Sequence, residues 1–136
     1  MKRRYPGESL QLVEMLCTDK IEFGGNITSM NTREQIHALS EEMLENLGKL
    51  VAVDSQLGTP SEGKPFGEGP AEALEIGLEI ARELGFKTVN LDNYCGYAEM
   101  GEGEEIVGIA GHLDIVPVGG DWTYDPFKLT RDGDHV

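Results

Sequence analysis

The run Ile106-Val107-Gly108-Ile109-Ala110-Gly111-His112-Leu113-Asp114-Ile115-Val116-Pro117 constrains the fold of this chain more than any other. It opens on five apolar residues, a pattern that predicts a strand, Ile106–Ala110, buried on both faces of an α/β sheet. Pro117 cannot continue a central strand, so the run has a defined end. Side chains two apart on a strand share a face, which sends His112 and Asp114 out of the sheet together. In open α/β sheets the carboxyl ends of the strands are where ligands bind. A neutral imidazole there is a good zinc ligand, and a neighbouring carboxylate can accept its other N–H and fix the tautomer. From the spacing alone, a His and an Asp sharing a structural hydrogen bond is the simpler reading.

Charge narrows the partners. The chain has 136 residues, with 11 Lys plus Arg against 25 Asp plus Glu, a net charge of −14. Nucleic acid and anionic membranes are both recognised through clustered basic residues, so neither is expected as a partner. The acidic surface reads as solubility. The two cysteines, Cys17 and Cys95, make neither a metal motif nor a disulfide framework, which fits a reducing, cytoplasmic setting. Glu8, Glu14 and Asp19 interrupt the apolar run that a secretion signal after Met1-Lys2-Arg3-Arg4 would need.

Local patterns supply the remaining elements. Leu10, Leu12, Val13, Met15 and Leu16 suit a short helix that ends at Gly24-Gly25-Asn26. Thr32-Arg33-Glu34-Gln35 is a capping-box pattern. Ile36, Leu39, Met43, Leu47 and Leu50 follow at helical spacing, predicting a core-facing helix with His37 on its surface. Residues 54–70 read as a polar loop. Gly67-Glu68-Gly69 lacks the third glycine of a dinucleotide fingerprint, because Glu72 stands there, so it reads as a helix start with Pro70 at the first position. The helix Ala71–Leu84 has a polar stripe at Glu72, Glu75, Glu79 and Arg82, an apolar remainder and a capping Gly85.

Strands are predicted at Phe86–Leu91, within Asn93–Met100 and at Ile106–Ala110, with Gly101-Glu102-Gly103-Glu104 as the hairpin turn before the last. Cys95 has no basic partner in sequence and reads as packing, not as a nucleophile. Trp122 either walls a pocket or anchors its loop to the core. Phe127–Thr130 suits a short strand, and Arg131–Asp134 a turn. Nothing marks His135 as a ligand.

Several motifs in order carry a resemblance. Gly111-His112-Leu113-Asp114-Ile115-Val116-Pro117, followed by Gly120-Asp121-Trp122-Thr123 and Asp125-Pro126-Phe127, resembles the dizinc metallopeptidase family of glutamate carboxypeptidase, aminoacylase and carnosinase. Pro65-Phe66-Gly67-Glu68-Gly69-Pro70 and Asp92-Asn93-Tyr94-Cys95-Gly96 look most like its peptidase V branch of bacterial dipeptidases. The resemblance runs from about Asn31 to Val136. It implies that residues 30–136 are the N-terminal portion of an α/β catalytic domain, helices on a mixed sheet, with the lid domain absent. Residues 1–29 do not match, and Met30 is expected to be the natural start.

The resemblance also implies chemistry. Two zinc ions per full-length subunit, bridged by a carboxylate and a water, bind the scissile amide oxygen of a short peptide, and a glutamate acts as general base. His112 matches the first zinc-binding histidine. Asp114 matches the aspartate that clamps it and is labelled catalytic. The other ligands and the base are expected beyond Val136, so the chain alone is expected to be inactive. The alternatives are a related carboxypeptidase, aminoacylase or desuccinylase, or a non-catalytic α/β binding module.

Overall fold

The computed structural model describes residues 32–136. The predicted helix at Leu10–Leu16, the expected start at Met30 and Cys17 lie outside them. In chain order the elements are α1 (Thr32–Ala38), α2 (Ser40–Val51), α3 (Glu68–Glu83), β1 (Lys87–Leu91) and β2 (Cys95–Glu99). They divide between two compact units. The described part of one is α1 with residues 100–110, and the other comprises residues 40–99 and 111–136. No helix among the described residues is long and apolar enough to cross a membrane.

The larger unit is built on α3. Its predicted stripe of Glu72, Glu75, Glu79 and Arg82 is exposed, while Ala71, Ala73 and Leu78 are buried. The helix ends as its sequence demands. Gly85 takes the left-handed conformation (φ 89). Its N–H donates to the Arg82 carbonyl, and Phe86 N–H reaches back to Ala81 at 2.9 Å. These two bonds make a Schellman cap, which satisfies carbonyls that the helix leaves unpaired. The start differs from expectation. Gly67 is the N-cap and the helix begins at Glu68, so Pro70 sits third, not first. Proline is tolerated there because the first four helical N–H groups have no partner within the helix.

The hairpin β1–β2 covers one side of α3. The strands are antiparallel, running from Lys87 opposite Glu99 to Leu91 opposite Cys95. Asp92 and Asn93 both carry positive φ (53 and 56) at its tip. Type I′ turns need that conformation twice, and Asx residues tolerate it. Gly96 lets the sheet approach closely, since a Cβ there would lie 3.0 Å from Leu74 and 3.1 Å from Leu78.

Three expectations are corrected. The predicted strand Ile106–Ala110 is irregular and exposed, with Ile106 at 81%, Val107 at 68% and Ile109 at 98%. A strand needs backbone partners, and this run has none among the described residues, so apolar composition alone does not make it one. Among the described residues the Gly101–Glu104 turn therefore leads into no strand, and in place of the expected larger mixed sheet the helices accompany a two-stranded antiparallel ribbon, a mixed α/β arrangement. The helix expected from Thr32 to Leu50 breaks at Leu39. Its predicted core face is open, with Ile36, Leu39, Met43 and Leu47 exposed. On α2 the half-buried positions include Leu44, Gly48 and Val51, one residue on from the predicted row, and Leu129 packs beside Gly48.

The smaller features divide in the same way. Phe127–Thr130 forms no strand, whereas Asp132 and His135 exchange backbone hydrogen bonds of 3.0 and 3.1 Å around the expected turn. Cys95 is exposed, so it is not packing. Trp122 is 60% exposed.

Candidate functional site

The His112–Asp114 pair sits on an irregular segment of the larger unit, not at a strand end. The residue between them, Leu113, is held from two sides. Its side chain lies against α3, where a Cβ on Gly77 would come within 2.9 Å of Leu113 Cδ1. Its carbonyl accepts a 2.8 Å hydrogen bond from Ser55 Oγ. Two residues on, Ile115 N–H donates to the Ser55 carbonyl at 3.4 Å, and Gln56 and Ile115 form an isolated parallel bridge. Pinning Leu113 leaves its two neighbours to project outward. The His112 and Asp114 side chains are 80% and 67% exposed.

The two side chains nevertheless meet. His112 Nδ1 is 2.8 Å from the Asp114 backbone carbonyl and 3.4 Å from Asp114 Oδ1. A carbonyl oxygen can only accept, so Nδ1 carries the proton and donates. In the neutral ring the Nε2 lone pair is then available for a Lewis acid. The sequence predicted that the carboxylate would be the acceptor. The shorter bond is made to the backbone of the same residue instead, and the carboxylate stands beside it.

This donor set fits one arm of a zinc site: an imidazole nitrogen and the group that orients it. A protein zinc site takes three or four protein ligands. Among the described residues no group of three His, Cys, Asp or Glu side chains comes close enough to hold a metal. The pair alone is therefore not a metal centre.

Ser55 is the residue that sequence reasoning missed. It falls within the stretch read as a polar, uncovered loop, yet it is 2% exposed, beside the buried Val53. Its cover is the start of α3: a Cβ on Gly69 would overlap the Asp54 carbonyl, so only glycine permits that approach. A buried hydroxyl without a partner would be costly, and the bond to Leu113 meets that demand, contributing about 1 kcal/mol. The nearest signal in sequence was Gly69 itself, read only as part of a helix start.

A shallow cleft of about 440 Å³ lies elsewhere in this unit, between the first turns of α3 and the hairpin tip. Lys64, Glu68, Glu72 and Asn93 line it. Lys64 pairs with Glu68, and Asn93 donates to the Gly63 carbonyl at 2.8 Å, so three of the four are already engaged. The cleft holds neither His112 nor Asp114.

Comparison with known proteins finds similarity to bacterial dipeptidases. The chain is 40% identical over 105 residues to the β-Ala-Xaa dipeptidase of Lactobacillus delbrueckii subsp. lactis, covering 76% of this chain and 22% of that protein. It is 38% identical over 101 residues to a putative dipeptidase of Bacillus subtilis, covering 73% and 22%. With a putative dipeptidase of Staphylococcus aureus it shares 35% identity over 98 residues, covering 71% and 21%. The chain thus spans about a fifth of the length of the curated relatives it matches. No protein-family model matches it.

Proposed function

We propose that this chain is part of a metal-dependent dipeptidase of the peptidase V-like branch, acting on short peptides. The observation that carries the reading is the 40% identity to a β-Ala-Xaa dipeptidase. The His112–Asp114 pair, with Nδ1 engaged, supports it with the chemistry such an enzyme needs. When bound, zinc supplies a Lewis acid for the amide oxygen and lowers the pKa of a water. His112 would present Nε2 to the metal, and Asp114 would hold the ring in the tautomer that frees that nitrogen. Two zinc ions per full-length subunit would need further ligands and a general base from other parts of a longer protein. The isolated 136-residue chain is accordingly inactive in this reading. The acidic composition and the lack of a disulfide framework support a cytoplasmic enzyme with no nucleic-acid or membrane partner.

The experiment is dipeptide hydrolysis by the longest natural protein containing this segment, with its metal content measured alongside. His112→Ala is expected to remove turnover. Asp114→Asn keeps the backbone acceptor and removes only the carboxylate charge beside Nδ1, so it is expected to lower metal affinity or activity by about 10-fold, the low end of what loss of an orienting partner costs. Parental activity in His112→Ala overturns the reading, and so does dipeptide turnover by the 136-residue chain alone.

A further inference from the structure

We propose that Ser55 is a positioning residue for the His112–Asp114 pair, acting through Leu113. The inference rests on the reading of that pair as the metal-binding arm. Its geometry is independent of that reading. Ser55 is nearly the most enclosed residue of the larger unit, at 2% exposure, whereas the pair it serves is open to solvent. An exposed imidazole and carboxylate have no packing of their own to fix them. Their placement must come from the backbone between them, and that backbone is Leu113.

Three contacts converge there. Ser55 Oγ donates to the Leu113 carbonyl at 2.8 Å. The Ser55 carbonyl accepts from Ile115 N–H at 3.4 Å. The Leu113 side chain lies against Gly77 of α3. Ser55 thus engages the chain on both sides of Asp114, with its side chain before and its backbone after. The first bond holds the Leu113–Asp114 peptide, and the second holds the Asp114–Ile115 peptide, which itself carries the Asp114 carbonyl, the acceptor of His112 Nδ1–H. Removing the hydroxyl frees the Leu113 carbonyl to rotate. Only the longer 3.4 Å bond to Ile115 N–H then restrains the Asp114 carbonyl, which turns out of line with Nδ1, and the ring loses the bond that selects its tautomer. A buried serine three elements away in sequence thereby sets which imidazole nitrogen faces a metal.

The test reads the His112 tautomer directly, in the full 136-residue chain with ¹⁵N-labelled imidazole, at a pH where the ring is neutral. Two-bond correlation spectra distinguish a protonated Nδ1 from a protonated Nε2. The parent chain is expected to show the Nδ1–H form. Ser55→Ala is expected to shift the ring to the Nε2–H form that free histidine prefers, with the amide signals of the β1–β2 hairpin unchanged. Ser55→Cys keeps the volume but donates weakly through S–H, and is expected to fall between the two. An unchanged tautomer in Ser55→Ala overturns the proposal. Should Ser55→Ala fail to fold, Ser55→Cys becomes the deciding variant, and a parental tautomer there overturns it equally. Hydrolysis is not part of this measurement. Inactivity of the longer protein would sink the dipeptidase reading and leave the tautomer result to stand or fall by itself.

Discussion

Helix α3 and the run Ile106–Ala110 are both rich in aliphatic residues, and they end in opposite states. Along α3, Ala71, Ala73 and Leu78 are buried, with Leu74 and Leu78 against the Gly96 side of the hairpin. Along the run, Ile109 is 98% exposed and its aliphatic neighbours Ile106 and Val107 are exposed too. The difference lies in what each can satisfy by itself. A helix pairs its backbone internally, so its apolar face needs only one surface to rest on. A strand must find a neighbour for its backbone before its side chains have a face at all. Apolar composition therefore predicts α3 well and the run poorly.

The strongest way to break this comparison is to remove the cover from the helix. Leu78→Ala deletes a side chain that is 6% exposed and packs against the hairpin at Gly96. It should destabilise the chain by about 2–4 kcal/mol, the range for a buried leucine with incomplete collapse of the cavity. Urea denaturation followed by circular dichroism measures it. A loss below about 1 kcal/mol would mean that the α3–hairpin contact carries little of the stability, and the contrast with the run would disappear.

The same contrast explains what could be read in the sequence. Elements whose signals are local were legible: the polar stripe of α3, the Gly85 cap, the hairpin strands and the turn before His135. Each is decided within a few residues by periodicity or by a required positive φ. Elements that depend on distant partners were not. The Ile106–Ala110 strand needed a neighbour, and the apolar row of α1 and α2 needed a surface in the right direction. At the candidate site, the pairing of His112 with Asp114 followed from the two-residue spacing. The role of Ser55 did not, because 58 residues separate it from Leu113 and only folding brings them together.

A smaller effect tests whether polar contacts on the surface can substitute for apolar cover. Arg131 Nη1 lies 3.0 and 3.1 Å from the two carboxylate oxygens of Glu41, tying the start of α2 to a segment 90 residues away. Both side chains are more than half exposed. Exposed pairs of this kind are screened and hold two long side chains in place, so they contribute little. Glu41→Gln is expected to cost about 0.2–1 kcal/mol, with the effect shrinking in high salt. A cost approaching that of Leu78→Ala would show that long-range polar ties, not the α3–hairpin contact, organise this unit.

The smallest effect is expected in the run itself. Ile109→Ser replaces a side chain that touches almost nothing, so no contact is lost and no cavity forms. Surface substitutions of this sort change stability by less than about 0.5 kcal/mol in either direction. Serine also has a lower preference for extended structure than isoleucine, but that preference counts only where the backbone is paired, and here, among the described residues, it is not. The substitution does remove apolar surface from water-facing positions, next to Ile106 and Val107, which favour contact with other apolar surfaces. Denaturation and sedimentation velocity on the same sample therefore separate two quantities. Unchanged stability with reduced self-association is the expected pair of results. A loss of more than about 1 kcal/mol would mean that Ile109 is covered in solution, and that the run, like α3, owes its state to a partner surface rather than to the want of one.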